Sequence, residues 1–277
     1  MKVLVTGATG FIGKNLVERL LAEGHDVLCV TRKEIPKDFF ERNVENIVLD
    51  LQKIEELGAC MSGVDVVMHV AAQLGHYGIP YQYFYDVNYL ATVKLAKLSI
   101  EHGVKQFILC SAPFVVGLGG KNTREDEPYA PKDAYSETKM LAELGVINVC
   151  EGRIPYTILR PSYVYGKGDV RRTALYRSIK KRYFALTTNG KANIHPTYVT
   201  DIIDGFILSM CNENAYNEIF NLAAENDCTA KEYLNCIAKH VGKRLIHINI
   251  GYGVSVFLAN IVDAVCKKTI HKAGFVN

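Results

Sequence analysis

The chain of 277 residues has no tryptophan, only eight prolines, and no tract of glycine, serine or proline long enough to act as a linker. No internal repeat or low-complexity segment is visible, which excludes solenoids and disordered arrays. Charge of one sign is also lacking. Lysine and arginine number 32 against 29 aspartates and glutamates, for a net +3, a balance too slight and too dispersed along the sequence to argue for nucleic acid. The eight cysteines (Cys29, Cys60, Cys110, Cys150, Cys211, Cys228, Cys236, Cys266) form no CxxC pair and no metal-like cluster. They are expected to be reduced core residues of a cytoplasmic protein without a metal. No apolar run reaches the roughly 18 residues of a spanning helix. The nearest, residues 251–268, is interrupted by Asn260 and Asp263; it reads as an amphipathic helix packed on its own protein, with peripheral contact to a membrane the minority reading. Strand-like KVLVT begins at the second residue, so no secretion signal is expected.

What is present is a rhythm. Short β-branched runs at 2–6, 26–31, 46–49, 65–70, 106–110 and 156–159 alternate with helical patterns such as IGKNLVERLLAEG and YLATVKLAKLSIEHG. Strand and helix in strict alternation predict an α/β fold, a doubly wound parallel sheet of the Rossmann type with both faces covered. The pattern changes after Arg160, with a loop, a basic helix (VRRTALYRSIKKR), an apolar helix and EIFNLA, a strand able to return to the main sheet. In the helix that follows, Thr229 and Glu232 have the spacing of a capping box. The expected domains are 1–160, binding a nucleotide, and 161–277, a smaller substrate lobe interleaved with it.

Three glycines stand between the first strand and first helix, in VTGATGFIG. Gly7 permits the tight turn, Gly10 lets a pyrophosphate approach the backbone, and Gly13 allows close helix–strand packing. Phe11 and Ile12 add amides at the helix's positive end. A dinucleotide is the expected cofactor. At the end of the second strand Thr31, Arg32 and Lys33 stand where a carboxylate would grip a ribose, so NADP is favoured over NAD, with Arg32 stacked on adenine as the alternative.

Tyr135 and Lys139 lie one helical turn apart in DAYSETKMLAE. A phenol titrates near 10. Lowering that by roughly three units takes about 4 kcal/mol, the interaction of an ammonium at about 4 Å in an effective dielectric of 20. The pair is therefore suited to general acid/base work on a hydroxyl or ketone during hydride transfer.

With these residues in hand, the sequence resembles the extended short-chain dehydrogenase/reductases of the NAD-dependent epimerase/dehydratase superfamily almost end to end. TGATGFIG, Asp50 in LDL, HVAA (69–72), Asn88 in DVNYLATVKL, Tyr135 with Lys139, RPSYVYGKGD (160–169) and HPTYVTDIIDGF (195–206) carry the likeness. The resemblance implies that Asp50 and Leu51 border the adenine, Ala71 and Ala72 line the cofactor, and Pro161 and Tyr163 adjoin the nicotinamide amide. Tyr135 and Lys139 would touch the cofactor as well as substrate, with Arg171 and His195 on the substrate side; Gln73 is a further candidate there, and Tyr77, in an aromatic-rich loop, either stacks on a substrate ring or packs on the neighbouring helix. It implies, too, a homodimer built on the helix that bears the tyrosine.

One position departs from that pattern. Alignment on Gly117 sets Ala112 where a substrate-binding hydroxyl is usual, with Ser111 one residue earlier; if the strand runs on, Ser111 turns to the face opposite Ala112, and if the loop has already turned, Ser111 substitutes as the catalytic hydroxyl. Some stretches are similar to the 3β-hydroxysteroid dehydrogenase-like branch. The favoured function is an NAD(P)-dependent oxidoreductase interconverting hydroxyl and ketone on a small-molecule substrate. A nucleotide-sugar epimerase or dehydratase is the alternative, and a non-catalytic nucleotide-binding regulator the second.

Overall fold

The computed structural model describes residues 1–75, 78–117, 123–186 and 189–248, together with a few positions between 253 and 261. The strands in chain order are β1 (Lys2–Thr6), β2 (Asp26–Thr31), β3 (Glu45–Val48), β4 (Val66–His69), β5 (Gln106–Cys110), β6 (Tyr156–Pro161), β7 (Val164–Tyr165), β8 (Ala185–Leu186), β9 (Asn193–Ile194), β10 (Thr197–Tyr198), β11 (Glu218–Leu222), β12 (Cys228–Thr229) and β13 (Ile246–His247). The helices are α1 (Phe11–Ala22), α2 (Tyr81–Phe84), α3 (Ala91–Glu101), α4 (Ala134–Cys150), α5 (Val170–Lys180), α6 (Val199–Ser209) and α7 (Ala230–His240).

The chain forms two compact units, one of residues 1–168 and 196–225, the other of 169–195 and 226–277. In the first, seven strands make one parallel sheet in the order β11-β6-β5-β4-β1-β2-β3. EIFNL thus returns to the main sheet as its edge, next to β6. Strand alternation divides the core in two. Leu4, Leu28, Val67, Phe107, Leu109 and Ile158 pack with α3 and α4, whereas Val3, Val5, Met68, Ile108 and Cys110 pack with α1 and α6. The inner strands β1, β2, β4, β5 and β6 are buried on both faces, which is why their sequences are largely apolar runs, whereas the edge strands β3 and β11 are only partly buried.

The second unit is small. Leu175 and Ile179 of α5 meet Leu234, Ile237 and Ala238 of α7 in a modest core. Two strand pairs of two residues each, antiparallel β9–β12 and parallel β8–β13, tie its segments together. The predicted capping box is present: Glu232 N–H donates to Thr229 Oγ1, and Thr229 N–H to Glu232 Oε2. The charge is not dispersed as expected from the sequence. This unit holds 14 lysines and arginines against four acids, while the first holds 18 against 25.

Among the described residues no cysteine is in a disulfide, no group of His, Cys, Asp and Glu has the geometry of a metal site, and no helix is long and apolar enough to cross a membrane.

Candidate active site

β1 ends at Thr6 and the chain reverses at Gly7, whose φ of +72° suits glycine; a Cβ there would stand 2.8 Å from the backbone of Ala71. At Gly13 a Cβ would come within 2.1 Å of Gly7 O, so α1 can lie this close to the turn only without a side chain. Gly10 N–H closes the turn on Gly7 O at 2.9 Å. Gly10 is also the N-cap of α1, and no side chain caps that end. The amides of Phe11, Ile12 and Gly13 therefore present a helix's positive end without an acceptor from a capping side chain. This cradle fits a dinucleotide's phosphates.

At the tip of β2, Thr31 is buried and its Oγ1 lies 2.7 Å from Lys33 O and 2.8 Å from Asn46 Oδ1. Arg32 and Lys33 are exposed beside it. Asp50 spends one carboxylate oxygen capping the 3₁₀ turn 51–60, accepting from Gln52 N–H at 2.9 Å, and Leu51 is buried behind it.

A directed chain of hydrogen bonds runs from this turn to α4. Ala71 N–H donates to Thr6 Oγ1 at 3.1 Å, and Thr6 Oγ1 lies 2.7 Å from His69 Nδ1. His69 Nε2 lies 2.8 Å from Thr92 Oγ1, which donates to Asn88 O at 2.7 Å. Since the Thr92 proton is committed to a carbonyl, Nε2 carries the imidazole's hydrogen and Nδ1 accepts from Thr6. Burial pushes the His69 pKa down to about 3, with Lys139 adding repulsion, so the ring is neutral. Asn88 then grips the next residue twice: Gln73 N–H donates to its Oδ1 at 2.7 Å and its Nδ2 donates to Gln73 O at 3.0 Å. Asn88 lies in a π-helical turn, 85–90, a local widening frequent at functional sites. Its Nδ2 also donates to Thr138 Oγ1, which donates on to the carbonyls of Ala134 and Tyr135.

α4 begins with a capping box between Asp133 and Ser136, which fixes its first turn and with it Tyr135, half-buried there. One turn on, Lys139 is buried and its Nζ donates to Cys110 O at 2.7 Å. Burial lowers its pKa from the ordinary lysine value, against opposing contributions from Cys110 and Glu143. An ammonium has three protons and this is its one hydrogen bond among the described residues, so two donors remain for a ribose.

The ladder of β5 continues one residue past the strand, with Ser111 N–H on Leu159 O, and Ala112 is extended at φ −146°. Leu109 faces the α3/α4 core and Cys110 the other. Alternation therefore turns Ser111 to the side covered by α4 and Ala112 away from it. Ser111 does lie opposite to Ala112, but on the side of the helix that carries the tyrosine. Its Oγ is buried and has no hydrogen-bond partner among the described residues. Beyond it Pro113 opens a short 3₁₀ turn against α4, anchored by buried Val115 and by Ala130 N–H on Val115 O, from which Phe114 projects at 51% exposure.

Pro161 ends β6, and Tyr163 O accepts from Thr197 N–H. Next to Pro161, Arg160 is fully buried and forms two hydrogen bonds to Glu143 of α4, at 2.9 and 2.6 Å, with Tyr129 OH on the same carboxylate.

Glycine turn, Ala71–Gln73, Ser111, Tyr135, Lys139, Pro161 and Tyr163 all belong to the first unit. Arg171 and His195 belong to the second. There Arg171 is exposed on the first turn of α5, where Asp169 caps the helix and pairs with Arg172 at 2.7 Å; His195 is half-buried. Tyr77 lies outside the described residues. Sequence reasoning assigned no role to Thr6, His69, Asn88, Thr92, Thr138 or the Arg160–Glu143 pair. Thr6, His69, Asn88 and Arg160 enter the sequence reading only as parts of the stretches that carry the resemblance.

The profile of the NAD dependent epimerase/dehydratase family matches residues 3–223. Sterol-4-alpha-carboxylate 3-dehydrogenase, decarboxylating, of Bos taurus is 32% identical over 213 residues, covering 74% of this chain and 59% of that protein. UDP-glucose 4-epimerase of Vibrio cholerae is 28% identical over 252 residues, 85% of this chain and 74% of that one. Among solved structures, UDP-glucuronic acid 4-epimerase from Bacillus cereus in complex with UDP-glucuronic acid and NAD superposes with a TM-score of 0.80 at 25% identity, over 90% of this chain and 86% of the other. The chain spans less than two thirds of the length of the sterol dehydrogenases it matches.

Proposed function

The chain belongs to the NAD dependent epimerase/dehydratase family, and from that premise we propose that it is an NAD(P)-dependent oxidoreductase interconverting a hydroxyl and a ketone. The observation that carries this reading is Lys139: a buried ammonium, one turn from Tyr135, held on Cys110 O with two donors unused. Bound nicotinamide supplies the hydride acceptor or donor. In the oxidative direction Tyr135, as phenolate, takes the hydroxyl proton. Lys139 stabilises that phenolate by its charge and holds the ribose, and Ser111 Oγ, buried without a partner among the described residues, donates to the substrate oxygen. Arg32 and Lys33, with no carboxylate at the tip of β2, support NADP(H); NAD is the nucleotide in the solved neighbours. The exposed Phe114 and the half-buried ring of Pro113 make the turn after β5 apolar, which supports a hydrophobic ketone rather than a sugar. A cytoplasmic homodimer paired through α4, where Leu144 is exposed, completes the proposal, with residues 1–160 as the nucleotide-binding region and 161–277 as the substrate lobe.

The test is reduction of a panel of ketones with NADPH and NADH. Tyr135→Phe is expected to lower kcat by about 10²- to 10⁴-fold with cofactor affinity kept, and Ser111→Ala to lower it less. Turnover unchanged by Tyr135→Phe overturns the mechanism. A second reading, nucleotide-sugar epimerisation, is favoured by the Vibrio cholerae relative and by the UDP-sugars in the solved neighbours. Thermal stabilisation by UDP-sugars that is lost on mutating Arg171 and Arg172 would select it. Cofactor binding without turnover on any substrate would select the regulator.

A further inference from the structure

The charge of the second unit is gathered as well as large. No acidic residue occurs between Val170 and His195, nor from Tyr233 to Val262. α5 ends at Lys180 and runs into Lys181, Arg182 and Tyr183, and α7 ends at His240 and runs into Val241, Gly242, Lys243 and Arg244. The two connections then enter the parallel strands β8 and β13, whose register pairs Ile246 with Ala185 and His247 with Leu186. Strands parallel and in register are entered from the same end, so the segments 181–184 and 242–245 both lead into that end of the pair. Lys180, Lys181, Arg182, Lys239, Lys243 and Arg244 are all exposed there. Among the described residues of this unit the one ion pair is Arg172 with Asp169.

Cations at helix C-termini offset the helix dipole, but that effect is confined to the last turn and does not account for Lys243 and Arg244 beyond it. Nor does it explain what stands among them. Tyr183 is 84% exposed between Arg182 and the core residue Phe184, and Ile248, at the exit of β13, is 51% exposed. Further on, Val254, Val256, Phe257 and Ile261 are exposed as well. A nucleic-acid phosphate backbone rewards cations but not bare isoleucine or phenylalanine. An interface of anionic headgroups over acyl chains rewards both, with tyrosine at the boundary.

We propose that this basic, tyrosine-tipped end of the second unit docks on the surface of an anionic lipid bilayer. The proposal rests on the second unit alone and is independent of the reading of the active site.

Co-sedimentation of the full chain with phosphatidylcholine vesicles, with and without phosphatidylserine, tests it. Binding is expected only with phosphatidylserine, and it should weaken as salt rises. Each cation near the surface is worth about fivefold in partitioning, so Lys180→Glu with Lys181→Glu should lower binding by more than a hundredfold. Lys243→Glu with Arg244→Glu should do the same, because the register of β8 and β13 puts both pairs on one end. Tyr183→Ser should weaken binding several-fold at unchanged charge. The far-ultraviolet dichroism and thermal unfolding of each variant should match those of the parent, as these side chains are exposed. No binding to either vesicle overturns the proposal, as does equal binding to both, or loss in one double variant only. Salt-sensitive binding to a duplex oligonucleotide with none to vesicles also overturns it and assigns the surface to nucleic acid.

Discussion

The two units treat charge in opposite ways. In the first, an ammonium (Lys139), a guanidinium (Arg160), a carboxylate (Glu143) and an imidazole (His69) are all buried, and each is hydrogen-bonded. In the second, ten lysines and arginines, Arg171 and Lys231 among them, are exposed. Size explains the difference. A buried charge costs several kcal/mol even after relaxation, which only a large, well-packed core offsets, and the seven-stranded sheet supplies one. The core of the second unit is built around four fully buried residues, Ile179, Leu186, Leu234 and Ala238. It displays most of its cations instead and buries one carboxylate, Asp169, at the head of α5. Polar groups held rigidly out of water are what acid/base chemistry needs, whereas exposed cations on a small scaffold are suited to recognising a surface.

The comparison breaks most readily at Glu143. Glu143→Ala leaves Arg160 buried without its carboxylate and Tyr129 without its acceptor. We expect a loss of about 3–5 kcal/mol in denaturant unfolding, against less than about 0.5 kcal/mol for Lys239→Ala on the second unit's surface. A cost below about 1 kcal/mol at Glu143 would mean that the large core does not carry the burden assigned to it.

A smaller effect should appear as a pH dependence. The His69 pKa is pushed down to about 3 by burial and by Lys139, while in the unfolded chain it is about 6.5. Above pH 6.5 neither state is protonated and His69 contributes nothing to the slope. As pH falls below that, the unfolded chain takes up a proton which the folded one refuses. Stability should therefore drop by about 1.4 kcal/mol per pH unit between about 6.5 and 3, beyond what the carboxylates cause. Unfolding free energies of the parent and His69→Gln between pH 7 and 5 measure it, and equal slopes would refute the assigned neutral tautomer.

Much of the first unit was legible because its physics is local. A parallel strand buried on both faces is an unbroken apolar run, and a dinucleotide turn needs glycines where a Cβ would collide. β1 and β2 fall on the residues expected, and β11 joins the sheet as EIFNLA suggested. Tyr135 and Lys139 were legible from one helical period. The supporting shell was not. Thr6, His69, Asn88 and Thr92 are spread between positions 6 and 92 of the chain, and only tertiary contact makes them one chain of donors and acceptors. The gathering of cations was hidden for the same reason. The segments that carry Lys181 and Lys243 lead into the same end of the β8–β13 pair, and nothing in a net charge of +3 foretells it. Whether Ser111 or Ala112 meets α4 depended on where a strand ended, a matter of one residue.

The finest test uses a device common to both units. α4 and α7 each begin with a reciprocal capping box, Asp133 with Ser136 in the first unit and Thr229 with Glu232 in the second. Removing such a cap costs about 1 kcal/mol in many helices, so the bare energies should be alike. Their consequences should not be. The first turn of α4 is also held by Thr138, through Asn88, and by Tyr81 OH on Glu137 Oε1 at 3.0 Å. With these contacts in place, loss of the Asp133 cap should be felt only as a drop in global stability. α7 is anchored by buried Leu234 and Ala238 and by partly buried Tyr233, Ile237 and Val241 in a core of modest size. Thr229→Ala should therefore speed amide exchange along residues 230–240 while exchange in β1 and β4 stays as it was. In Asp133→Ala, exchange should rise uniformly across the sheet and α4 together. Equal and global acceleration in both variants would mean that the second unit unfolds only with the first, and that the contrast between a large cooperative core and a small display scaffold is one of composition alone.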